Sequence, residues 1–296
     1  MQIAERVHLL AQEQNDAGLW LQAYRALACT LFYLGEFETA QRYAMHGVQI
    51  WRSGNLESHT EEPYTPVVAC LCFLTHSELH LGEVASNQAN LDEAISIAKR
   101  LNDLSSLAIA VYWAAVLAAN EHNLAEVDRL ASDLIELSTR ENFALWLANG
   151  AVLRGWARSA SGNTVEGIPW IEQGIRDFQA TGTVLAWPVF LALKAEALYL
   201  ANCTSEALAT INVAEAVAER FEQRVSFADL HRLRGVFLTA IGADETQIEA
   251  SFSAAIRIAK EQKSVSVAKR AEATYAEYRR QKACGSGERR FRLPLW

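Results

Sequence analysis

The chain has 296 residues, 51% of them hydrophobic, and carries Lys+Arg 27 against Asp+Glu 35 for a formal net charge of -8. That acidic balance argues against nucleic-acid binding through a basic surface, because neutralising phosphates takes clustered Lys and Arg. Only 5 Pro and 15 Gly interrupt a chain rich in Ala and Leu, and no window alternates apolar and polar residues long enough to predict a half-buried strand.

Residues 2–13 predict a short amphipathic helix with Ile3, Val7 and Leu10 on one side. The first full unit follows, from about Gly18 to Trp51. Within it an apolar helix that carries Arg25 reaches a turn at Gly35, and a second helix opens with Phe37 and Ala40. Small residues (Ala28, Ala40, Ala44, Gly47) stand where two antiparallel helices would touch closely. The turn recurs at Gly82, His122, Gly162, Asn202 and Gly242, first after 47 residues and then at intervals of 40. A fixed period of this size marks a stacked helical repeat.

Residues 52–66, polar and turn-forming, account for the longer first interval. Unit two pairs Val67 to Leu81 with Gln88 to Leu101, and unit three pairs Leu104 to Asn120 with Leu124 to Thr139. Unit four pairs Phe143 to Ala160 with Val165 to Ala180. Its Pro169 is expected near the first turn of the second helix, or at a kink. Unit five pairs Ala186 to Leu200 with Ser205 to Phe221. Unit six pairs Phe227 to Ile241 with Thr246 to Glu261, slipped by one residue because Ala243-Asp-Glu-Thr lengthens its turn. A last helix, Val265 to Lys282, has the polar face of a terminal cap. The expected domain plan is one superhelix over 1–282 and a flexible tail over 283–296, joined through Gly285-Ser-Gly287.

The longest uncharged run, Leu104 to Asn120, is shorter than the ~20 apolar residues of a membrane span, and the first residues have no basic region ahead of an apolar core. Five scattered cysteines, Cys29, Cys70, Cys72, Cys203 and Cys284, suit reduced thiols. A cytoplasmic chain is therefore expected.

The units resemble tetratricopeptide repeats (TPR). Unit one carries the pattern best, with Tyr24, Leu27, Ala28, Leu31, Gly35, Phe37, Ala40, Ala44 and Gly47. Ala115, Leu124 and Ala131 follow it in unit three, Ala195, Leu198 and Ala207 in unit five, and Gly235, Leu238, Phe252 and Ala255 in unit six. The period of 40 departs from the usual 34, and Asn87 and Gly167 replace the usual Ala. The resemblance implies an all-α, right-handed α-solenoid of about six helical hairpins with terminal helices, and the departures imply longer helices and a different curvature. A second resemblance lies in Trp146-Leu-Ala-Asn-Gly-Ala-Val-Leu-Arg-Gly-Trp-Ala157, Leu230-His-Arg-Leu-Arg-Gly235 and Ala250-Ser-Phe-Ser-Ala-Ala-Ile-Arg-Ile-Ala259. These are similar to the C-terminal repeats of bacterial signalling proteins that join a class III nucleotide cyclase or DNA-binding domain to an AAA/STAND-type ATPase. None of the cyclase or ATPase residues has a counterpart here.

No phosphate-cradling Gly-x-x-x-x-Gly-Lys-Ser/Thr loop, His-Glu-x-x-His or Gly-x-Ser-x-Gly occurs. Cys72, His76 and His80 share one helical face at spacings of four, which brings potential metal ligands together. Packing or groove lining is the preferred reading, so neither metal nor cofactor is expected. In TPR folds the first helices line the concave surface. Carried over by position, that selects Arg25, Phe32 and Tyr33 in unit one, and His76 and His80 in unit two. It selects Tyr112 and Asn120 in unit three, Asn149 and Trp156 in unit four, Glu196 and Tyr199 in unit five, and Asp229 and Arg232 in unit six. Rings supply contact area while polar groups fix register, which is what a peptide groove needs. The expected function is a non-enzymatic scaffold of bacterial signalling type that binds a protein or peptide, with a cyclase or ATPase module as the candidate partner. Two alternatives stand beside it: a sensor enclosing a small ligand, and the detached repeat region of a cyclase/ATPase regulator.

Overall fold

The structure is a computed structural model that describes residues 2–14, 16–54 and 65–283. The middle of the 52–66 insert and the tail beyond Ala283 lie outside the described residues. Fourteen helices make up the described chain: α1 (Gln2–Gln14), α2 (Ala17–Tyr33), α3 (Phe37–Arg52), α4 (Pro66–Leu81), α5 (Asn87–Arg100), α6 (Leu104–Asn120), α7 (Leu124–Glu141), α8 (Ala144–Ala160), α9 (Thr164–Ala180), α10 (Trp187–Leu200), α11 (Thr204–Arg220), α12 (Phe227–Ala240), α13 (Glu245–Glu261) and α14 (Val265–Ala283). The six hairpins run from α2/α3 to α12/α13, with α1 and α14 at the ends.

Polar side chains start several of these helices by accepting orphan amides. Asp16 accepts from the Leu19 amide at 2.8 Å, and Asp103 accepts from the Ser106 amide at 2.9 Å. Asp103 does more, because its second oxygen takes the Thr65 amide and hydroxyl, each at 2.8 Å. One carboxylate thereby ties the start of α4 to the start of α6. The turn within each hairpin is left-handed at the recurring position, with φ of +62° at His122 and +67° at Asn202. A second series of left-handed residues closes each hairpin onto the next: Asn102, Asn142, Gly182, Glu222 and Lys263. Its spacing is also 40 until the last step, which is 41. Sequence reading passes over it because only one member is glycine.

Small residues set how closely the helices approach. A Cβ on Gly155 of α8 would stand 2.6 Å from the Gly167 carbonyl and 2.8 Å from the Ile171 side chain of α9. Gly167, the departure from the usual Ala, in turn abuts the Ser159 hydroxyl and the Gly155 carbonyl. This pair of helices leaves no room for a methyl group between the backbones. Pro169 is the sixth residue of α9, beyond the first turn, yet the helix continues through it. The carbonyl deprived of a partner is that of Val165, a residue 88% exposed, so water can take the place of the missing amide.

The first helices of the hairpins form the inside of the molecule. Helix α4 packs on α6, α6 on α8, α8 on α10, α10 on α12 and α12 on α14, and α14 packs back on α4. Six helices therefore close into a ring rather than leaving an open wall. The closure is reinforced at its seam. The Tyr33 carbonyl accepts from the Arg224 amide at 2.7 Å and the Val225 amide at 3.2 Å. On one side of the seam the Gln262 side chain donates to the Arg224 carbonyl at 2.7 Å, and from there it lies against Gly35 on the other side. Lys263 pairs with Glu38, and His80 Nδ1 shares a 2.8 Å hydrogen bond with the Ser264 hydroxyl. Small per-repeat rotations of a solenoid have here accumulated into contact between distant units.

The intimacy of α8 and α9 gives a direct test. Gly155→Ala is expected to destabilise the fold by about 1–3 kcal/mol through overpacking, whereas Val165→Ala, one turn from the same interface but exposed, should stay within about 0.5 kcal/mol. Urea unfolding midpoints of the two variants check this.

Candidate functional site

The inner faces of the ring carry the groups that sequence reading singled out. Trp156 on α8 donates its indole Nε1–H to Glu196 Oε2 on α10 at 2.9 Å. These two residues are 40 apart and hold the same place in successive hairpins. Glu196 faces Arg232 of α12, with Nη2 3.8 Å from Oε1, and neither side chain has any exposed surface. One turn earlier on α12, Asp229 accepts from Arg232 Nε at 2.9 Å and from Arg270 Nη1 of α14 at 3.0 Å. Two carboxylates and two guanidiniums thus link α10, α12 and α14, with Trp156 extending the chain to α8.

Burial and pairing set the charge states. Burial raises the Glu196 carboxyl to about 7, against the pull of Arg232 and of the Trp156 hydrogen bond. Burial opposes the Asp229 carboxylate as well, but Arg270 and Arg232 outweigh it and hold that carboxyl below its usual range. The two acids are separated by partner number: Asp229 has two close guanidiniums and Glu196 has one at longer range. The cluster is incompletely satisfied. Glu196 Oε1, Arg232 Nη1 and Nη2, and Asn149 Oδ1 are buried and make no hydrogen bond among the described residues.

The α4 side of the ring is aromatic. Trp113 of α6 meets Phe32 at 5.7 Å, Phe73 at 5.3 Å and His76 at 4.5 Å between ring centroids. His76 Nε2 hydrogen-bonds the Trp113 carbonyl at 3.0 Å. His80 stacks flat on Phe37 at 3.7 Å while its Nδ1 engages Ser264. Burial lowers His76 to about 4, and burial together with Arg270 lowers His80 to about 3, so both are neutral imidazoles at pH 7. A neutral ring bonded in this way is a packing group. Cys72 is buried on the same helix, and no group of three or more possible metal ligands occurs among the described residues.

The structure therefore divides the predicted wall. Phe32, His76, Tyr112, Asn149, Trp156, Glu196 and Arg232 are buried. Their expected exposure on an open concave surface is corrected by the closed ring, whose facing helices cover them. Arg25, Tyr33, His80, Asn120, Tyr199 and Asp229 keep part of their surface. Arg25 Nε bonds Gln22 at 3.2 Å, and Asn120 bonds the Val116 carbonyl at 2.9 Å. Tyr199 lies against Phe237 at 5.1 Å, and Tyr33 stands beside Tyr112 and Cys29. Sequence reading missed Trp113 and Arg270. The first hides within an all-apolar helix. The second lies 41 residues after Asp229, at the matching place in the terminal helix, and would have been found by carrying the repeat into α14.

No family model matches the chain. It is 22% identical over 278 residues to an uncharacterized protein of Rhizobium meliloti (strain 1021), a match covering 93% of this chain and 27% of that protein. The chain thus spans about a quarter of the length of this curated relative. Among solved structures, the Rap protein in complex with Competence and Sporulation Factor aligns with a TM-score of 0.53 at 9% identity, over 92% of this chain and 84% of that one. PlcR of Bacillus thuringiensis, in complex with the peptide PapR7 and DNA, aligns with a TM-score of 0.46 at 17% identity, over 76% and 94%. The likeness to Rap is one of fold: an all-α array of TPR-like helical hairpins. No described helix is long and apolar enough to cross a membrane.

Two measurements follow from the buried charges. Histidines whose folded pKa lies below the unfolded value stabilise the fold fully above about pH 6.5, and that stability is lost as pH falls towards 4. Glu196, whose folded pKa is raised, acts in the opposite sense: its contribution is present below the unfolded value of 4.5 and lost as pH rises through about 7. His80→Phe should flatten the acid limb of a Tm–pH profile, and Glu196→Gln should flatten the rise in cost between 4.5 and 7. Separately, Arg270→Met leaves Asp229 with Arg232 as its guanidinium partner and should cost about 1.5–3 kcal/mol, whereas Asp229→Leu/Arg270→Met also strips buried Arg232 of that carboxylate and should cost more. Denaturant titration of the three proteins checks this.

Proposed function

We propose that the chain is a non-enzymatic protein- or peptide-binding segment of a bacterial signalling protein, and that the inner wall of first helices is its recognition surface. The observation that carries this reading is the set of buried polar atoms on Asn149, Glu196 and Arg232 that make no hydrogen bond among the described residues. Each such atom costs about 1–3 kcal/mol. A peptide backbone, with alternating amide donors and carbonyl acceptors, is chemically suited to satisfy both signs at once. Around them stand the rings of Trp156, Tyr112 and Tyr199, which would supply contact area, while Arg25, Asn120 and Asp229 would fix register. The TPR-like fold is consistent with that use, and the Rap protein that shares it was solved with Competence and Sporulation Factor bound.

The Rhizobium meliloti relative is about four times as long as the matched region. That favours a segment whose partner is another module, and the resemblance to cyclase and ATPase regulators names the kind of module. A second reading draws support from the closed ring itself: an enclosed wall suits a small ligand shut away from water. A thermal-shift screen separates the two, since an enclosed ligand raises Tm by mass action without any peptide present.

Peptides selected from a random display library against the immobilised chain should lose at least about tenfold in affinity, or about 1.4 kcal/mol, when Arg25, Asn120 and Tyr199 are changed together to Ala. Equal binding by a folded triple variant would remove the inner wall as the site.

A further inference from the structure

The polar atoms that carry the binding reading are out of reach in the closed ring, since Glu196 and Arg232 have no exposed surface and Asn149 is 5% exposed. We propose that the seam where the last helices meet the first two hairpins is a gate, which opens to present the inner wall and shuts over it. This rests on the reading of that wall as the recognition surface.

The seam differs from every other junction in the ring in what holds it. Successive hairpins are joined by buried apolar side chains and by closely approaching helices, as where Gly47 of α3 meets Cys70 of α4 and Gly150 of α8 meets Ile135 and the Ala131 carbonyl of α7. Across the seam the joints are polar and lie at the surface. Lys263 and Glu38 pair with side chains 63% and 55% exposed, a pairing that water and salt compete with. The Tyr33 carbonyl meets the Arg224 and Val225 amides, groups that water can satisfy equally well once parted. The sheltered contacts are Phe37–His80–Ser264, the Ser266 hydroxyl on the His80 carbonyl, and the Val265 side chain against Gly82.

Packing at the seam is also incomplete. A cleft of about 540 Å³ runs along it, with Leu34, Gly35 and Glu36 on one wall and Arg224, Phe227 and Gln262 on the other. Separating edges that already enclose solvent space exposes less apolar surface than parting a close-packed pair. A ligand for the wall binds the open form alone, so it shifts the population towards opening by its affinity for that form.

Cys29 reports on the gate without any partner. It sits on α2 beside Arg25 and Tyr33, partly exposed in the closed form, with burial raising its thiol to about 11. Alkylation by N-ethylmaleimide is followed residue by residue with mass spectrometry. Carbodiimide coupling of Lys263 to Glu38 shuts the gate covalently and should slow labelling of Cys29 at least tenfold. Glu38→Lys with Gln262→Ala loosens it and should speed labelling at least fivefold, while Glu38→Lys/Lys263→Glu should restore the original rate. Cys70, fully buried on α4 against Gly47 of α3, serves as the folding control and should not change. Equal rates at Cys29 in coupled, uncoupled and loosened protein would overturn the gate. Should the loosened variant unfold, Cys70 labels with Cys29, and the coupled-against-uncoupled comparison decides alone. Because no peptide is used, a failed groove test leaves this result standing by itself. Peptide binding that survives coupling would show that the wall is reached by another route.

Discussion

The return of α14 to α4 is the constraint on which the interior depends. A stack of helical hairpins ordinarily needs contact only between neighbours, and its inner wall stays wet. Here the sixth helix of the inner set meets the first, with His80 lodged between Phe37 and Ser264. Once that junction forms, Trp156, Glu196 and Arg232 are sealed from solvent. Their charges must then be matched by one another. The Asp229–Arg270 pair fixes α14 to α12, so the same side chains that suffer from enclosure also hold the enclosing helix in place.

Much of this architecture was legible. The turn residues Gly35, Gly82, His122, Gly162, Asn202 and Gly242 mark the hairpins because a left-handed backbone position is chemically selective. Helix limits follow from that period to within a residue or two, and Leu104–Asn120 is read from the sequence with the bounds it has in the structure. Pro169 was legible only in part. Its presence inside α9 is tolerated because the affected carbonyl faces water, a fact about exposure that no local pattern supplies.

Closure of the ring was not legible, and the reason is physical. Curvature is the sum of small rotations between hairpins, each set by side-chain volumes at several contacts. No single residue announces the total. For the same reason the exposure of the inner wall was misjudged. Residues at i, i+3 and i+4 read alike whether they line a groove or fill a core. One signal was present: α4 is buried continuously from Pro66 to Ser77, and α6 and α10 are nearly as apolar all round. Helices apolar on every side are covered on every side.

Contacts within and between successive hairpins join residues close in the chain, whereas the closing contacts join residues such as Glu38 and Lys263, 225 positions apart. Contacts of short sequence separation form quickly and those of long separation late. During synthesis the hairpins can therefore assemble in order behind the ribosome, while Lys263, Ser264 and Arg270 are among the last described residues to emerge. Until they do, Trp156 and Glu196 stand on a half-built arc facing water. A nascent chain thus passes through a stage in which its interior is a surface, and a chaperone or a co-translated subunit would meet it there.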